Sequence, residues 1–149
     1  MLSPWTRALA VGAAAGSRAS LGFTAPLRLT GRPALAAVHA LGVVGELVGD
    51  KLPMAPSRLD RGGPVVRAVA GAVGGATVAV AARRADDALG AGHVAFAAAL
   101  GAAASLAGTY GGATWRRFVA ERGLPDWPAA LAEDAVALGL ARVGLREVG

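Results

Sequence analysis

Ionisable side chains stand where this chain is otherwise Ala, Gly, Val and Leu. Arg18 lies near the middle of the apolar run Ala8–Leu27. The run Pro33–Gly49 contains His39 and Glu46 and leads directly into Asp50 and Lys51, and the run Trp127–Val143 contains the adjacent pair Glu133 and Asp134. A charge in an apolar segment is costly and is kept where it lines a pathway, balances another charge or locks helices together. At 100° per residue His39, Glu46 and Asp50 fall within an arc of about 40°, a polar stripe on a greasy cylinder. Two readings of that stripe are open. In one, Glu46 and Asp50 exchange or coordinate a proton or cation while His39 relays at the deeper end. In the other, the carboxylates sit at an interface, solvated or paired with Lys51, and His39 hydrogen-bonds a neighbouring helix. Arg18 needs a carboxylate, a water-filled cavity or anionic headgroups within reach, and Glu46 and the Glu133–Asp134 pair are the carboxylates on offer. Glu133 and Asp134 point about 100° apart, which turns one inward and the other toward the headgroups.

Those residues need elements to hold them, and composition names the solvent. Apolar residues make up 54% of 149, charged residues 17%, and the mean hydropathy is +0.50. That is greasier than an ordinary soluble domain and predicts an all-α, small polytopic membrane bundle, one domain over residues 1–149. A soluble Ala-rich bundle is the competing class, because Ala favours helix but is only marginally hydrophobic. The apolar runs are Ala8–Leu27, Pro33–Gly49, Val65–Ala82, Leu89–Trp115 and Trp127–Val143. A helix needs roughly 20 apolar residues to cross the hydrocarbon core, so about five transmembrane helices are expected. The charged, turn-rich segments between them read as interfacial loops. Asp126 is placed to cap the fifth helix and Pro33 to open the second. Arg7 before Ala8–Gly16 has the outline of a secretory signal peptide, but Arg18 and the apolar continuation through Leu27 argue against cleavage.

With five alternating spans, Arg7, Lys51, Arg58, Arg61, Arg67, Arg116, Arg117 and Arg122 share one side, and Arg28, Arg32, Arg83, Arg84, Arg142 and Arg146 the other. The imbalance is slight and favours a cytoplasmic N-terminus, with dual topology and a homo-oligomer of oppositely inserted copies compatible with it. The net charge of +5 is spread over every loop, so no contiguous nucleic-acid footprint is expected. Membrane lipid is the expected partner. The chain has no Cys, and it shows neither metal-ligand spacing nor a nucleophile elbow nor a phosphate-cradling loop. No enzyme activity, metal or cofactor is expected.

Gly12 and Gly16, Gly45 and Gly49, Gly71 and Gly75, and Gly108 and Gly112 form Gly-x-x-x-Gly pairs, which let helix backbones approach closely. Ala15-Gly16-Ser17 resembles Ala107-Gly108-Thr109, and each precedes an acidic element, Glu46–Asp50 or Glu133-Asp134. That pattern raises an inverted two-helix repeat.

Two blocks of residues carry a family likeness: Glu46-Leu-Val-Gly-Asp50-Lys51-Leu-Pro53-Met-Ala-Pro56-Ser57-Arg58, and Gly-Leu124-Pro125-Asp126-Trp-Pro128 with Leu131-Ala-Glu133-Asp134. The chain resembles the bacterial membrane proteins grouped as domain of unknown function 4126, over nearly its whole length. The resemblance implies an integral protein of the bacterial inner membrane with paired halves, and it supplies no substrate. Tyr110 stands where the first half has Arg18, a departure from strict symmetry.

Two functions follow as expectations. One is a small transporter or channel-like protein for an ion or small solute, with Glu46, Asp50 and Glu133 or Asp134 lining a path balanced by Arg18. The alternative is a non-transporting structural or accessory membrane protein whose buried charges stabilise helix packing. Flux lost on Glu46→Gln with insertion intact separates the two.

Overall fold

A computed structural model describes residues 2–49, 59, 62–84 and 89–146, and every regular element among them is helical. The order is α1 (Pro4–Ser17), α2 (Ala19–Gly22), α3 (Thr24–Thr30), α4 (Pro33–Gly49), α5 (Gly63–Arg83), α6 (Ala91–Glu121) and α7 (Asp126–Gly144). Local chemistry sets several boundaries. Ser3 caps α1 by accepting from the Thr6 N–H at 3.2 Å, with Pro4 in the first turn where a missing N–H costs nothing. Gly31, at φ 61°, closes α3 in the left-handed conformation that glycine adopts freely, and Pro33 opens α4. Asp126 does not cap α7: its carboxylate accepts from Nε and Nη2 of Arg116 instead.

The direction of each helix follows from its contacts. Trp5 stacks on His93 at 5.7 Å, Gly12 lies on Gly101, and Gly16 lies on Ser105 and Gly108, so α1 and α6 run in the same direction. Gly71 meets Ser105 and Gly101 while Gly75 meets Ala97, so α5 is antiparallel to both. Arg7 Nε donates to the Gly144 carbonyl at 3.3 Å and Arg18 pairs with Asp134, so α7 is antiparallel to α1.

Between α1 and α5 the chain turns back on itself. In one straight helix Ala15 and Gly22 would be separated by about 10 Å of rise. Here a Cβ on Gly22 would lie 3.0 Å from the Ala15 Cβ. Arg18, at φ −141° and ψ 107°, is extended, and beyond it α2 and α3 climb back beside α5 toward the Trp5 end, where Ala25 is fully buried in the cluster with Val11, Val78 and Leu145. The single run expected over Ala8–Leu27 is therefore a helical hairpin with Arg18 at its tip. α4 then runs antiparallel to it, with His39 beside Thr24 and Glu46 beside Ala19.

Five alternating spans are not what these contacts give. Two helices, α5 and α6, are long and apolar enough to cross a membrane. α1 is cut short at Ser17, α4 has 17 residues, and α7 carries Asp126, Glu133, Asp134 and Arg142. An inverted repeat would set α1 and α6 in opposite directions, and they are parallel.

Small residues draw the bundle together. A Cβ on Gly101 would lie 2.2 Å from the Gly71 carbonyl oxygen, and a Cβ on Gly12 would lie 2.3 Å from the Gly101 oxygen, so α1, α5 and α6 meet backbone to backbone. Gly16, Gly75 and Gly108 are equally close-packed. Gly45 is a correction: it is exposed, with nothing within 4 Å of a Cβ, because α4 rests only on α2 and α3. The surroundings of Gly49 lie outside the described residues, and Gly112 is half-buried. Gly101, Gly22, Gly74 and Gly144 join the contact instead. Gly101→Ala is expected to destabilise the bundle by about 1–3 kcal/mol or more through backbone displacement. Gly45→Ala should be neutral or stabilising by up to about 1 kcal/mol. Thermal unfolding of both variants in detergent checks the contrast.

Candidate functional site

Reversing a helix inside a bundle frees backbone groups that need partners away from water. At the tip the Arg18 N–H still reaches the Ala14 carbonyl at 2.9 Å, and Leu21 N–H closes onto the Arg18 carbonyl at 3.0 Å. The N–H groups of Ala19 and Ser20 open α2. Both donate to one carboxylate, that of Glu46 on α4, at 2.9 and 3.0 Å, and the Ser20 hydroxyl donates to it as well. On the opposite flank the Thr109 hydroxyl donates to the Gly16 carbonyl at 3.1 Å and to the Ser105 carbonyl of its own helix at 2.9 Å. Side chains from α4 and α6 thus stand in for the helical bonds that the break removes.

The tip residue carries the charge. Arg18 is 2% exposed, the largest side chain that is fully buried, and its guanidinium forms an ion pair with Asp134 of α7. Glu133 is buried beside Asp134. The expectation that one of the two faces the headgroups fails, because α7 touches α1, α2 and α6 and so has adjacent faces covered. Glu46 is half-buried and engages amides rather than Arg18 among the contacts described. His39 Nε2 lies 2.8 Å from Thr24 Oγ1, which ties α4 to α3 one stage further along the hairpin. Asp50 and Lys51 lie outside the described residues. The site is a compact polar knot of Arg18, Asp134, Glu46, Ser20 and Thr109, assembled from α2, α4, α6, α7 and the extended tip.

No family model, curated protein or solved structure matches the chain. The knot must therefore be read from its own chemistry. It combines a fixed guanidinium and carboxylate with two amides and two hydroxyls, a set able to hold a charged or strongly polar species if any internal partner yields its place.

Several members were not singled out from the sequence. Ser20 and Thr109 are two of them. Thr109 stood in one tripeptide of the possible repeat, and its hydroxyl contacts the other at the Gly16 carbonyl. Arg7 and Arg67, placed at loop edges, are buried: Arg7 closes the C-terminal end of α7, and the Arg67 carbonyl accepts from Ser105 at 2.6 Å.

A double-mutant cycle on the ion pair measures what it contributes. Arg18→Ala or Asp134→Ala alone should cost about 3–5 kcal/mol, because each takes from a buried charge its ion-pair partner, and the double variant should cost less than the sum. Strict additivity in chemical unfolding would show that the two side chains do not depend on each other.

Proposed function

We propose that this is a small multi-pass membrane protein that transports or conducts an ion or small polar solute through the knot at the hairpin tip. The observation that carries this reading is the interruption of the first helix at Arg18. A bundle that needed only to lock its helices would keep that helix continuous and its backbone bonds internal. Non-helical backbone at membrane depth is tolerated where it is buried in protein or lines a cavity, and half-helix ends at depth are where transporters hold charged cargo.

Aromatic side chains support a position across the bilayer. Trp5, His93 and Phe96 cluster at one end; Trp115, Phe118 and the exposed Trp127 mark the other, with Arg122 3.9 Å over the Phe118 ring. Phe96 and Trp115 stand about 28 Å apart along α6 at 1.5 Å per residue, close to the thickness of the hydrocarbon core. Only 17% of the apolar window of α6 is buried, whereas the core helix of a soluble domain would be mostly buried. Thr109, which holds the tip, lies about 20 Å from the Phe96 level. The hairpin α1–α3 enters and leaves at the Trp5 end, and α5 and α6, the helices long and apolar enough to cross, supply the crossings.

That path redistributes the charges used to orient the protein. Arg7, Arg28, Arg32, Arg83, Arg84, Arg142 and Arg146 fall at the Trp5 end. Arg116, Arg117 and Arg122 fall at the Trp115 end, while Arg67 lies deeper, beside Ser105; Lys51, Arg58 and Arg61 lie outside the described residues. Arg7 shares an end with Arg28 and Arg32 on this path, so the grouping behind the weak preference for a cytoplasmic N-terminus changes, and insertion in both orientations stays compatible with the charges.

The accessory reading also has an observation behind it: Arg18 is already paired with Asp134 and Glu46 with the tip amides. Reconstitution separates the two. Proteoliposomes are loaded for proton, sodium, potassium and chloride flux with the native chain and with Arg18→Gln/Asp134→Asn, which removes both charges of the pair together. Transport predicts flux of one of these ions from the native chain, reduced at least tenfold in a double variant that still inserts and unfolds as a bundle. No flux above empty vesicles for any of the four ions favours the accessory reading.

A further inference from the structure

We infer that α4 is a hinged cover over the hairpin tip and that the Glu46 carboxylate is its latch. α4 is the least embedded of the long helices. Leu35, Val38, Leu41, Val44 and Val48 are all exposed, and the helix rests on α2 and α3 alone among the elements with more than marginal contact. Gly42 and Gly45 have open space where a Cβ would be, so no close backbone crossing of the kind that joins α1, α5 and α6 holds this helix. Apart from the packing of Val43 against the core, its described attachments are polar and few: Glu46 to the Ala19 and Ser20 amides and Ser20 hydroxyl, and His39 to Thr24.

Both polar attachments fall on the hairpin, and one falls on its tip. Moving α4 outward therefore uncovers the same amides and hydroxyl that the polar knot presents beside Arg18, while Arg18–Asp134 and the Thr109 bond belong to other helices and remain in place. At its N-terminal end α4 joins α3 through Gly31 and Arg32 only. Gly31 has a positive φ and open space around it, a pivot that leaves the glycine-packed helices undisturbed. Loss of the carboxylate returns two amides to an unsatisfied state in the closed form, which removes the closed form's advantage over an open one where water reaches them.

This rests on the transport reading for the purpose of the cover, while the latch is tested without any transport. The chain has no native Cys, so spin labels report directly. Val44→Cys with Ala103→Cys measures α4 against α6, and Val69→Cys with Leu138→Cys measures α5 against α7 as a control; all four positions are exposed. In lipid vesicles, double electron–electron resonance on the Glu46 chain should give one α4–α6 distance distribution. Glu46→Ala should add a longer population amounting to a third or more of the signal, with Glu46→Gln, which keeps one acceptor oxygen, between the two and the control pair unchanged. An α4–α6 distribution that is the same in all three chains overturns the latch. So does a control pair that broadens along with it, since Glu46 would then hold the whole bundle. A short thiol–thiol cross-link between Thr24→Cys and His39→Cys should stop flux, and flux unaffected by it overturns the role as a gate. A distance shift on Glu46→Ala in a chain that never shows flux keeps the latch and removes the transport reading alone.

Discussion

The reversal of the chain at Arg18 is the constraint around which the other helices are arranged. Turning a helix back on itself within a bundle frees N–H and C=O groups where water is scarce, and each unpaired group costs more than an ordinary hydrogen bond contributes. Three helices answer that cost at one place. α4 brings Glu46 to the amides of Ala19 and Ser20, α6 brings the Thr109 hydroxyl to the Gly16 carbonyl, and α7 brings Asp134 to the guanidinium. The positions of these helices around the tip are thus coupled through side chains that each satisfy a buried or half-buried polar group.

Close backbone approach makes the reach of these short side chains sufficient. Ser and Thr hydroxyls extend only one bond beyond Cβ, and Thr109 touches a carbonyl on α1 because Gly16 and Gly108 allow the two helices to meet without side chains between them. Ser105 reaches the Arg67 carbonyl across the same kind of gap, between Gly71 and Gly101. Polar knot and glycine contact are one arrangement, with α4 lying outside it. That difference gives the fold a rigid part of α1, α5, α6 and α7 and a lightly attached part in α4.

Much of this could be read from residue types. Helical class, the anomaly of Arg18 and the acidic residues of α7 among its available partners all follow from apolar periodicity and the cost of a buried guanidinium. The hairpin did not follow, because Ala8–Leu27 has the length and composition of one span and hydropathy averages over a break. Pro26 lies in the first turn of α3, where its missing N–H is harmless, but in a continuous helix over Ala8–Leu27 it falls in the last turn and so gave little sign of the break. Gly101 escaped notice because its neighbours one turn away are Ala97 and Ser105, so a search for paired glycines passes over a stripe of small residues. Grouping of the loop charges depends on the same break. One unrecognised reversal brings Arg7 to the same end as Arg28 and Arg32, which alternating spans had placed opposite it.

The backbone of Arg18 in a lipid bilayer is the quantity to measure first. Solid-state NMR of the uniformly labelled chain in vesicles gives Cα and Cβ shifts for residues 14–22, which report helical or extended backbone residue by residue. Extended values at Arg18 between helical values at Ser17 and Ala19 are predicted, with through-space contact between Ala15 and Gly22. Helical shifts running unbroken through Arg18, without that contact, would contradict the hairpin and with it the knot that its tip assembles.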